Sequence, residues 1–169
     1  MKPITPKLLR ILREVALFAF VVWVGSTALS WWRAPKLDSN TLPRITGRLI
    51  DGTAFDSDRL KGKPILIEFW GTWCPVCRRQ APNIARVAEH YPVLTIAVNS
   101  RDAEHIRQWM ARENVSYPVL NDPSGRWAQR FHVSVYPTTY IYDADGKLAF
   151  TEVGYTTTAG LLARLKMAE

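Results

Sequence analysis

The sequence is poor in metal-binding and cross-linking side chains. It has two cysteines among 169 residues, Cys74 and Cys77, so no third cysteine is available for a structural disulfide. The pair can close a small disulfide and reopen it, or offer two thiolates to a metal ion. The three histidines, His90, His105 and His132, lie in different predicted elements. Their spacing does not match that of metal ligands, either among themselves or with the cysteines.

Internal repeats, low-complexity tracts and arginine-rich arms are also missing. The formal net charge is +7, but the first 33 residues contain five basic side chains and one acid, which leaves +3 for the remainder. Basic and acidic residues are interspersed in that remainder, without a basic-aromatic repeat. Nucleic acid is therefore not an expected partner.

Residues 15–32 form a long segment without a charged side chain. At about 1.5 Å per residue, a helix of this length just crosses a hydrocarbon core of about 30 Å. Four basic residues precede it: Lys2, Lys7, Arg10 and Arg13. The sequence therefore predicts a cytoplasmic basic N-terminus (1–14), a transmembrane signal-anchor (15–32), a linker (33–43) and a globular domain (44–169).

A cleaved signal peptide is the alternative for this segment, because Ser26, Thr27 and Ala28 offer small residues near its end. Both interpretations export the globular domain, and we expect it in a bacterial periplasm facing oxidising conditions. The longer apolar run and its terminal Trp31-Trp32 favour the retained anchor on the inner membrane.

The rest of the chain alternates between strand-like and helix-like patterns. In chain order they predict a hairpin (44–50, 53–55), strand 65–70, helix 74–90, strand 93–99, helix 103–113, strand 119–120, helix 124–131, a hairpin (138–142, 147–153) and helix 158–167. This order predicts an α/β sheet with helices on both faces.

The cysteines follow directly after the predicted buried strand 65–70. Cys74 lies at the start of a helix, where unpaired N–H groups and the helix dipole lower a thiol pKa. We therefore expect Cys74 to be the nucleophile and Cys77, one turn later, to resolve the mixed disulfide. Pro75 fits the first helical position, and Pro82 predicts a kink.

Glu68 stands in the middle of this apolar strand. Burial would raise its pKa toward neutrality, and beneath the helix it could shuttle the proton of Cys77 during exchange. The alternative is a partly exposed or paired glutamate at a sheet edge.

These motifs together resemble the thioredoxin superfamily. The matching residues are an acid six positions before the first cysteine, tryptophans four positions and one position before it, a kinking proline, a proline followed by Thr, and a late glycine: Glu68, Trp70, Trp73, Pro82, Pro137 and Gly154. The resemblance implies a thioredoxin-like central mixed sheet flanked by helices, with an N-terminal β-hairpin and a central strand-helix insertion. It also implies protein thiol–disulfide oxidoreductase activity.

Two segments indicate which branch of the thioredoxin superfamily the sequence resembles. Leu60–Pro64 and the unit around 99–120 look like the membrane-anchored TlpA and cytochrome-c-maturation type of thioredoxin. The Trp-Cys-Pro-Val-Cys site of a short anchored chain looks most like the suppressor-of-copper-sensitivity D (ScsD) group. That likeness implies a role in copper tolerance.

The resemblance also implies roles around the cysteines. Pro137 is expected to be cis and to place Tyr136 beside Cys74, where an extended peptide can add as a strand. Client contacts are expected from Trp73, Tyr136, Pro75 and Val76, while Trp70 is expected in the core. The implied partners are periplasmic protein thiols and disulfides and a membrane redox protein of the DsbD or quinone-linked type, with the Cys74–Cys77 disulfide as the redox group and no cofactor.

Three alternatives remain beside this interpretation. The same two thiolates could carry Cu(I) or Zn(II), or the protein could be a reductant dedicated to cytochrome c maturation. A thiol peroxidase is disfavoured because Gly71 stands where a threonine is expected. The direction of electron flow is open.

Overall fold

The computed structural model describes residues 39–169 continuously and, before them, residues 10, 13–15, 17, 18, 21, 25 and 37. The chain divides into two units, 1–34 and 35–169. The predicted N-terminus and anchor lie largely outside the described residues, and the linker lies partly outside them. The described positions of the anchor, 15, 17, 18, 21 and 25, are helical. Among the residues described, no helix is long and apolar enough to span a bilayer.

The second unit contains two sheets. A small antiparallel sheet consists of β1 (Thr46–Arg48) and β2 (Ala54–Asp56). The main sheet consists of β3 (Ile65–Trp70), β4 (Val93–Val98), β5 (Val119–Asp122), β6 (Thr138–Tyr142) and β7 (Leu148–Val153), in the order β5-β4-β3-β6-β7. The helices are α1 (Pro75–Ala88), α2 (Ala103–Glu113), α3 (Arg126–Arg130) and α4 (Thr158–Met167), and a 3-10 turn covers Ser57–Leu60.

The main sheet is mixed, which confirms the predicted thioredoxin-like topology. β4 pairs in parallel with β3 and β5, whereas β6 runs antiparallel to β3 and β7 antiparallel to β6. The carboxyl ends of β3, β4 and β5 therefore lie at the same edge as the start of β6. This edge carries the two cysteines.

Alternation along β3 divides the core into two layers. Ile65, Ile67 and Phe69 belong to a cluster with α3 residues and with the hairpin segment. Leu66 and Trp70 belong to clusters that α1, α2 and α4 cover on the other face. Because strand side chains alternate between faces, Glu68 shares the face of α1 with Leu66 and Trp70. The prediction of helices on both faces is confirmed.

The predicted insertion comprises α2 and β5. Asp102 caps α2 by accepting the His105 N–H, and the helix ends at Asn114 in the left-handed conformation. β5 extends to Asp122, beyond the predicted 119–120, because polar Asn121 and Asp122 pair with Ala97 and Val98 of β4.

The short α3 is two residues shorter at its start than predicted. Gly125, at φ 71°, precedes its first residue. The Asp122 carboxylate accepts the N–H groups of Trp127 and Ala128, at 2.9 and 3.1 Å. A side chain at the end of β5 thus provides the hydrogen-bond acceptor for free N–H groups in the first turn of this helix.

Candidate active site

The two cysteines form a disulfide at the start of α1. Cys74 is the N-cap residue, and its Sγ accepts the Cys77 N–H at 3.2 Å. The Cα atoms lie 5.2 Å apart, and Pro75 occupies the first turn. Cys74 is 4% exposed and Cys77 is 2% exposed, so the resolving cysteine is the more buried one by a small margin.

The loop before β6 lies directly against this disulfide. The Tyr136–Pro137 peptide bond is cis, as the resemblance implies. The carbonyl oxygen of Tyr136 lies 3.7 Å from Cys74 Sγ. The loop is held in place by the Gly154 N–H, which donates to the Pro137 carbonyl, and by Thr138 Oγ1, which donates to the Val135 carbonyl. The structure thus brings Tyr136 and Pro137 next to the predicted nucleophile.

Trp73 forms a rim beside the disulfide. Its side chain is 53% exposed, yet Nε1 donates to the Val98 carbonyl at 3.1 Å. Its ring meets that of Tyr136 edge to face, with centroids 5.3 Å apart. A Cβ on Gly71 would lie 2.5 Å from Trp73 Nε1, so this conformation of the indole requires a glycine at that position.

A surface cleft of about 360 Å³ adjoins Cys74. Its lining consists of the residues that flank the nucleophile: Thr72, Trp73, Cys74, Pro75, Arg78 and Arg79. Val76 is 41% exposed nearby on the first turn of α1. All four predicted client-contact residues therefore lie around Cys74, where an approaching chain would meet them.

Glu68 is 2% exposed on the central strand of the sheet. The alternative of a glutamate at a sheet edge is therefore wrong. Its cross-strand neighbours are Thr95 on β4 and Thr139 on β6, and Oε1 has no hydrogen-bond partner among the described residues. Burial raises the pKa of this carboxyl well above its ordinary value, because the charged form loses its hydration.

Trp70 is in the core, as expected. It is 2% exposed and packs on Trp109, with ring centroids 4.6 Å apart. Arg78, directly after the second cysteine, forms an ion pair with Glu113 at 3.0 Å, which connects α1 to α2.

Sequence reasoning missed several polar residues that hold the site together. Ser100 Oγ accepts the Thr72 N–H and donates to the Val98 carbonyl, both at 3.0 Å. On α1, Gln80 Oε1 accepts the Thr156 N–H, and Asn83 Nδ2 donates to the Thr156 carbonyl. The available signal was the presence of two amide side chains on the apolar face of the predicted helix.

Among the described residues, no group of three or more His, Cys, Asp or Glu side chains is arranged to hold a metal ion. The structure describes all three histidines, and none of them lies in such a group.

The sequence is similar to a known family over most of its length. The sequence model of the AhpC/TSA family matches residues 39–151. The chain belongs to this family. A thioredoxin-like protein of Haemophilus influenzae is 32% identical over 86% of this chain and 87% of its own length. The thiol-disulfide oxidoreductase ResA of Bacillus subtilis is 30% identical, over 63% of this chain and 62% of its own, which is under two thirds of either.

A solved structure has the same fold. The secreted Mycobacterium tuberculosis disulfide oxidoreductase homologous to E. coli DsbE superposes with a TM-score of 0.64 and is 28% identical, covering 73% of this chain and 95% of its own. With its Cys74–Cys77 pair on a thioredoxin-like fold, the protein is a thiol–disulfide oxidoreductase.

Proposed function

We propose that the protein is exported, tethered to the bacterial inner membrane, and exchanges disulfides with protein cysteines through Cys74. The observation that carries the proposal is the position of the Tyr136 carbonyl, 3.7 Å from Cys74 Sγ and beside an open cleft. An extended client segment bound along this loop would present its own sulfur to Cys74.

The exchange proceeds in two displacement steps. In the reducing direction, the Cys74 thiolate attacks a client disulfide, forms a mixed disulfide and releases one client thiolate. Cys77 then attacks Cys74 Sγ, which closes the Cys74–Cys77 disulfide and releases the second client thiolate. Two electrons pass to the client, and a redox partner must return them. The oxidising direction is the reverse.

The helix start supports Cys74 as the attacking group. The Cys77 N–H already points at Cys74 Sγ at 3.2 Å, and such a donor stabilises a thiolate. Cys77 does not occupy the N-cap position, so its thiol must give its proton to another group before the sulfur attacks.

Glu68 is the proposed acceptor of the Cys77 proton. It lies on the sheet face under α1, between the clusters that contain Cys77 and Ile84. Burial raises its pKa, so this carboxyl holds a proton at a higher pH than an exposed glutamate and can exchange it with a thiol. We expect Glu68→Gln to slow release of the mixed disulfide more than its formation. Stopped-flow rates that fall equally for both steps would contradict this role.

The proposed membrane anchor is supported by the uncharged segment 15–32. Four large apolar side chains in this segment are more than half exposed: Val15, Leu17, Phe18 and Val21. The described chain enters the domain at the end of the sheet opposite to Cys74. There the Leu42 N–H donates to the Gly146 carbonyl and the Leu148 N–H donates to the Asn40 carbonyl.

Fractionation tests the tether. We expect the full-length chain to stay with the inner membrane at its uncut mass. A periplasmic product that begins after Ala28 would instead establish the cleaved signal peptide.

The clients and the electron partner come from the resemblance to TlpA and ScsD proteins. They are periplasmic protein thiols, including those oxidised under copper stress, and a DsbD-type donor or a quinone-linked oxidase. A dedicated role in cytochrome c maturation predicts a mixed disulfide of full-length Cys77→Ser with an apocytochrome. The copper role predicts that this variant traps other clients when cells are exposed to copper.

The first experiment measures the reduction potential of the protein. The protein is equilibrated in glutathione buffers, and its redox state is followed by the fluorescence of Trp70 and Trp73. A value at or below about −250 mV identifies a reductant that needs a membrane electron source, and one above about −180 mV identifies an oxidant or isomerase. If no disulfide forms between Cys74 and Cys77 in any buffer, the proposal fails and Cu(I) or Zn(II) binding by the two thiolates is tested next.

A further inference from the structure

A row of buried polar residues crosses the centre of the sheet. Thr139 of β6, Glu68 of β3 and Thr95 of β4 are direct cross-strand neighbours, and all three are buried. Thr95 Oγ1 donates to the Pro118 carbonyl at 3.0 Å. Among the described residues, Glu68 Oε1 has no hydrogen-bond partner. The row thus leads from an unpaired carboxyl oxygen to Pro118, at the start of β5.

Tyr117 precedes Pro118 and lies over the same face of the sheet. Its side chain packs against the cluster containing Trp70 and against the cluster containing Leu66. Glu68 lies between those two residues on β3, so Tyr117 spans its position. The Tyr117 ring meets the Trp70 ring edge to face, with centroids 6.2 Å apart.

The other side of Tyr117 faces a surface groove of about 630 Å³. The groove runs between α1 and the segment before β5, and its lining is Asp51, Ala85, Ala88, Glu89, Asn114, Ser116, Tyr117 and Pro118. Tyr117 is half-buried, in contact with both the core and this groove. Its ring therefore stands between the groove and the sheet face that carries Glu68.

The described groups that face Glu68 do not stabilise its charged form, so this carboxylate would have to be stabilised by water. β4 and β6 face it with Thr95 and Thr139, which do not titrate, and α1 covers this face with Cys77, whose sulfur is held in the disulfide. Beyond Tyr117 lies Glu113, which is paired with Arg78. Among the described residues, no lysine or arginine forms an ion pair with Glu68.

We propose that Tyr117 is a positioning residue whose aromatic ring closes the route by which water from the groove would reach Glu68. The inference rests on the proposed role of Glu68 as the proton acceptor of Cys77. With the ring in place, Glu68 stays dry and exchanges its proton with Cys77. With the ring removed, water hydrates the carboxylate and supplies a second path for the proton.

The test is a ¹³C NMR titration of the Glu68 carboxyl in the oxidised full-length chain. In Tyr117→Ala we expect the pKa of Glu68 to fall toward the ordinary glutamate range, because the charged form regains hydration. Tyr117→Phe keeps the ring, so Glu68 should titrate as in the wild type. The control is Tyr91→Ala, which removes a tyrosine packed against the same cluster as Leu66. It should also titrate as the wild type.

The proposal is overturned if Glu68 titrates identically in wild type and Tyr117→Ala. It is also overturned if Tyr117→Phe shifts the titration as far as Tyr117→Ala, because the hydroxyl rather than the ring would then be responsible. The dispersed indole resonances of Trp70 and Trp109 report whether each variant is folded. Should the alanine variant not fold, Tyr117→Leu, which preserves part of the volume, is titrated with the same expectation.

A second readout separates this inference from the proposed function. The pH profile of mixed-disulfide release should move to lower pH in Tyr117→Ala and stay in place in Tyr117→Phe. If Glu68 does not accept the Cys77 proton, Glu68→Gln leaves the release profile unchanged, although the NMR difference between Tyr117 variants persists. If Tyr117 is not the barrier, release still depends on Glu68 and both readouts are the same in Tyr117→Ala as in the wild type.

Discussion

Glu68 and Thr139 face each other across β3 and β6, and neither Glu68 Oε1 nor Thr139 Oγ1 has a hydrogen-bond partner among the described residues. Directly opposed residues of an antiparallel pair place their Cβ atoms about 5 Å apart on the same face. Two residues that each carry an unpaired oxygen therefore lie side by side on the sheet face beneath the active-site helix. A buried polar oxygen without a partner costs free energy, so this pair locally destabilises the fold.

Thr139→Val replaces the unpaired hydroxyl with a methyl group of similar size. We expect the free energy of unfolding to stay equal or to rise by up to about 1 kcal/mol, since no hydrogen bond is lost. Denaturant unfolding of the oxidised protein measures it. Thr95→Val is the matched comparison and should destabilise, because Thr95 Oγ1 donates to the Pro118 carbonyl. A loss in Thr139→Val as large as that in Thr95→Val would show that Thr139 has a partner.

Glu68 should make the stability of the oxidised protein depend on pH. Its pKa in the folded state is raised by burial, so the folded protein holds this proton at pH values where the unfolded chain has released it. The contribution of protonated Glu68 to the free energy of unfolding is therefore fully present below about pH 4.3. It is lost as pH rises through the folded-state pKa of this carboxyl. We expect Glu68→Gln to gain stability relative to wild type as pH rises through that window. A constant difference between the two proteins, measured by urea unfolding from acid to neutral pH, would contradict the prediction.

Cys77→Ser should trap the mixed disulfide between Cys74 and a client. The variant retains the attacking sulfur and loses the resolving one, so the covalent adduct accumulates. Cys74→Ser is the control and should form no adduct, because Cys74 lines the open cleft and Cys77 does not. Non-reducing electrophoresis with a disulfide-bonded peptide measures both. An adduct that forms through Cys77 alone would reverse the assigned roles.

Gly71→Ala should displace Trp73. The new Cβ would lie 2.5 Å from Nε1 of the indole, so the ring must move and its hydrogen bond to the Val98 carbonyl must break. We expect a loss of about 1 kcal/mol in stability and an upfield shift of the Trp73 indole N–H resonance. Ser134→Ala, at an exposed position of the loop before Tyr136, is the control and should leave that resonance in place. An unchanged Trp73 resonance in Gly71→Ala would refute the steric argument.

Asp122→Ala should loosen the edge of the sheet beside the active site. The buried carboxylate accepts the N–H groups of Trp127 and Ala128, and both donors would lose their partner. We expect the free energy of unfolding to fall by roughly 1–3 kcal/mol. Thermal unfolding measures this, with Asp145→Ala as an exposed control that should be neutral. Equal melting temperatures for the two variants would mean that water satisfies the donors equally well.

Local elements were the part of the fold that sequence patterns predicted best. The bounds of α2, β6 and α4 agree with the prediction, because their apolar periods lie within each element and the N-caps of the two helices directly precede them. β5 and α3 were less well predicted. Asn121 and Asp122 look like loop residues on their own, and they become strand and helix cap through their pairing with β4 and their contact with α3.

The same division holds for the site. Cys74, Cys77 and Pro75 were predictable because they adjoin in the chain, where a strand that runs into a helix determines their surroundings. Ser100, Gln80 and Tyr117 were not. Each contacts a residue that is distant in the chain. Ser100 accepts the N–H of Thr72, and Gln80 accepts the N–H of Thr156.

The sequence by itself determined a strand followed by a helix that begins at a cysteine pair, and therefore a site at which thiol–disulfide exchange is possible. Only the tertiary structure decided what surrounds that pair. Tyr136 lies 62 positions from Cys74 in the chain, yet its carbonyl is 3.7 Å from the sulfur. Tyr117 covers the face of Glu68 from the far side of β4. The physical reason is that periodicity and caps encode only local conformation, whereas strand order and register, which emerge when the whole sheet packs, bring distant side chains together.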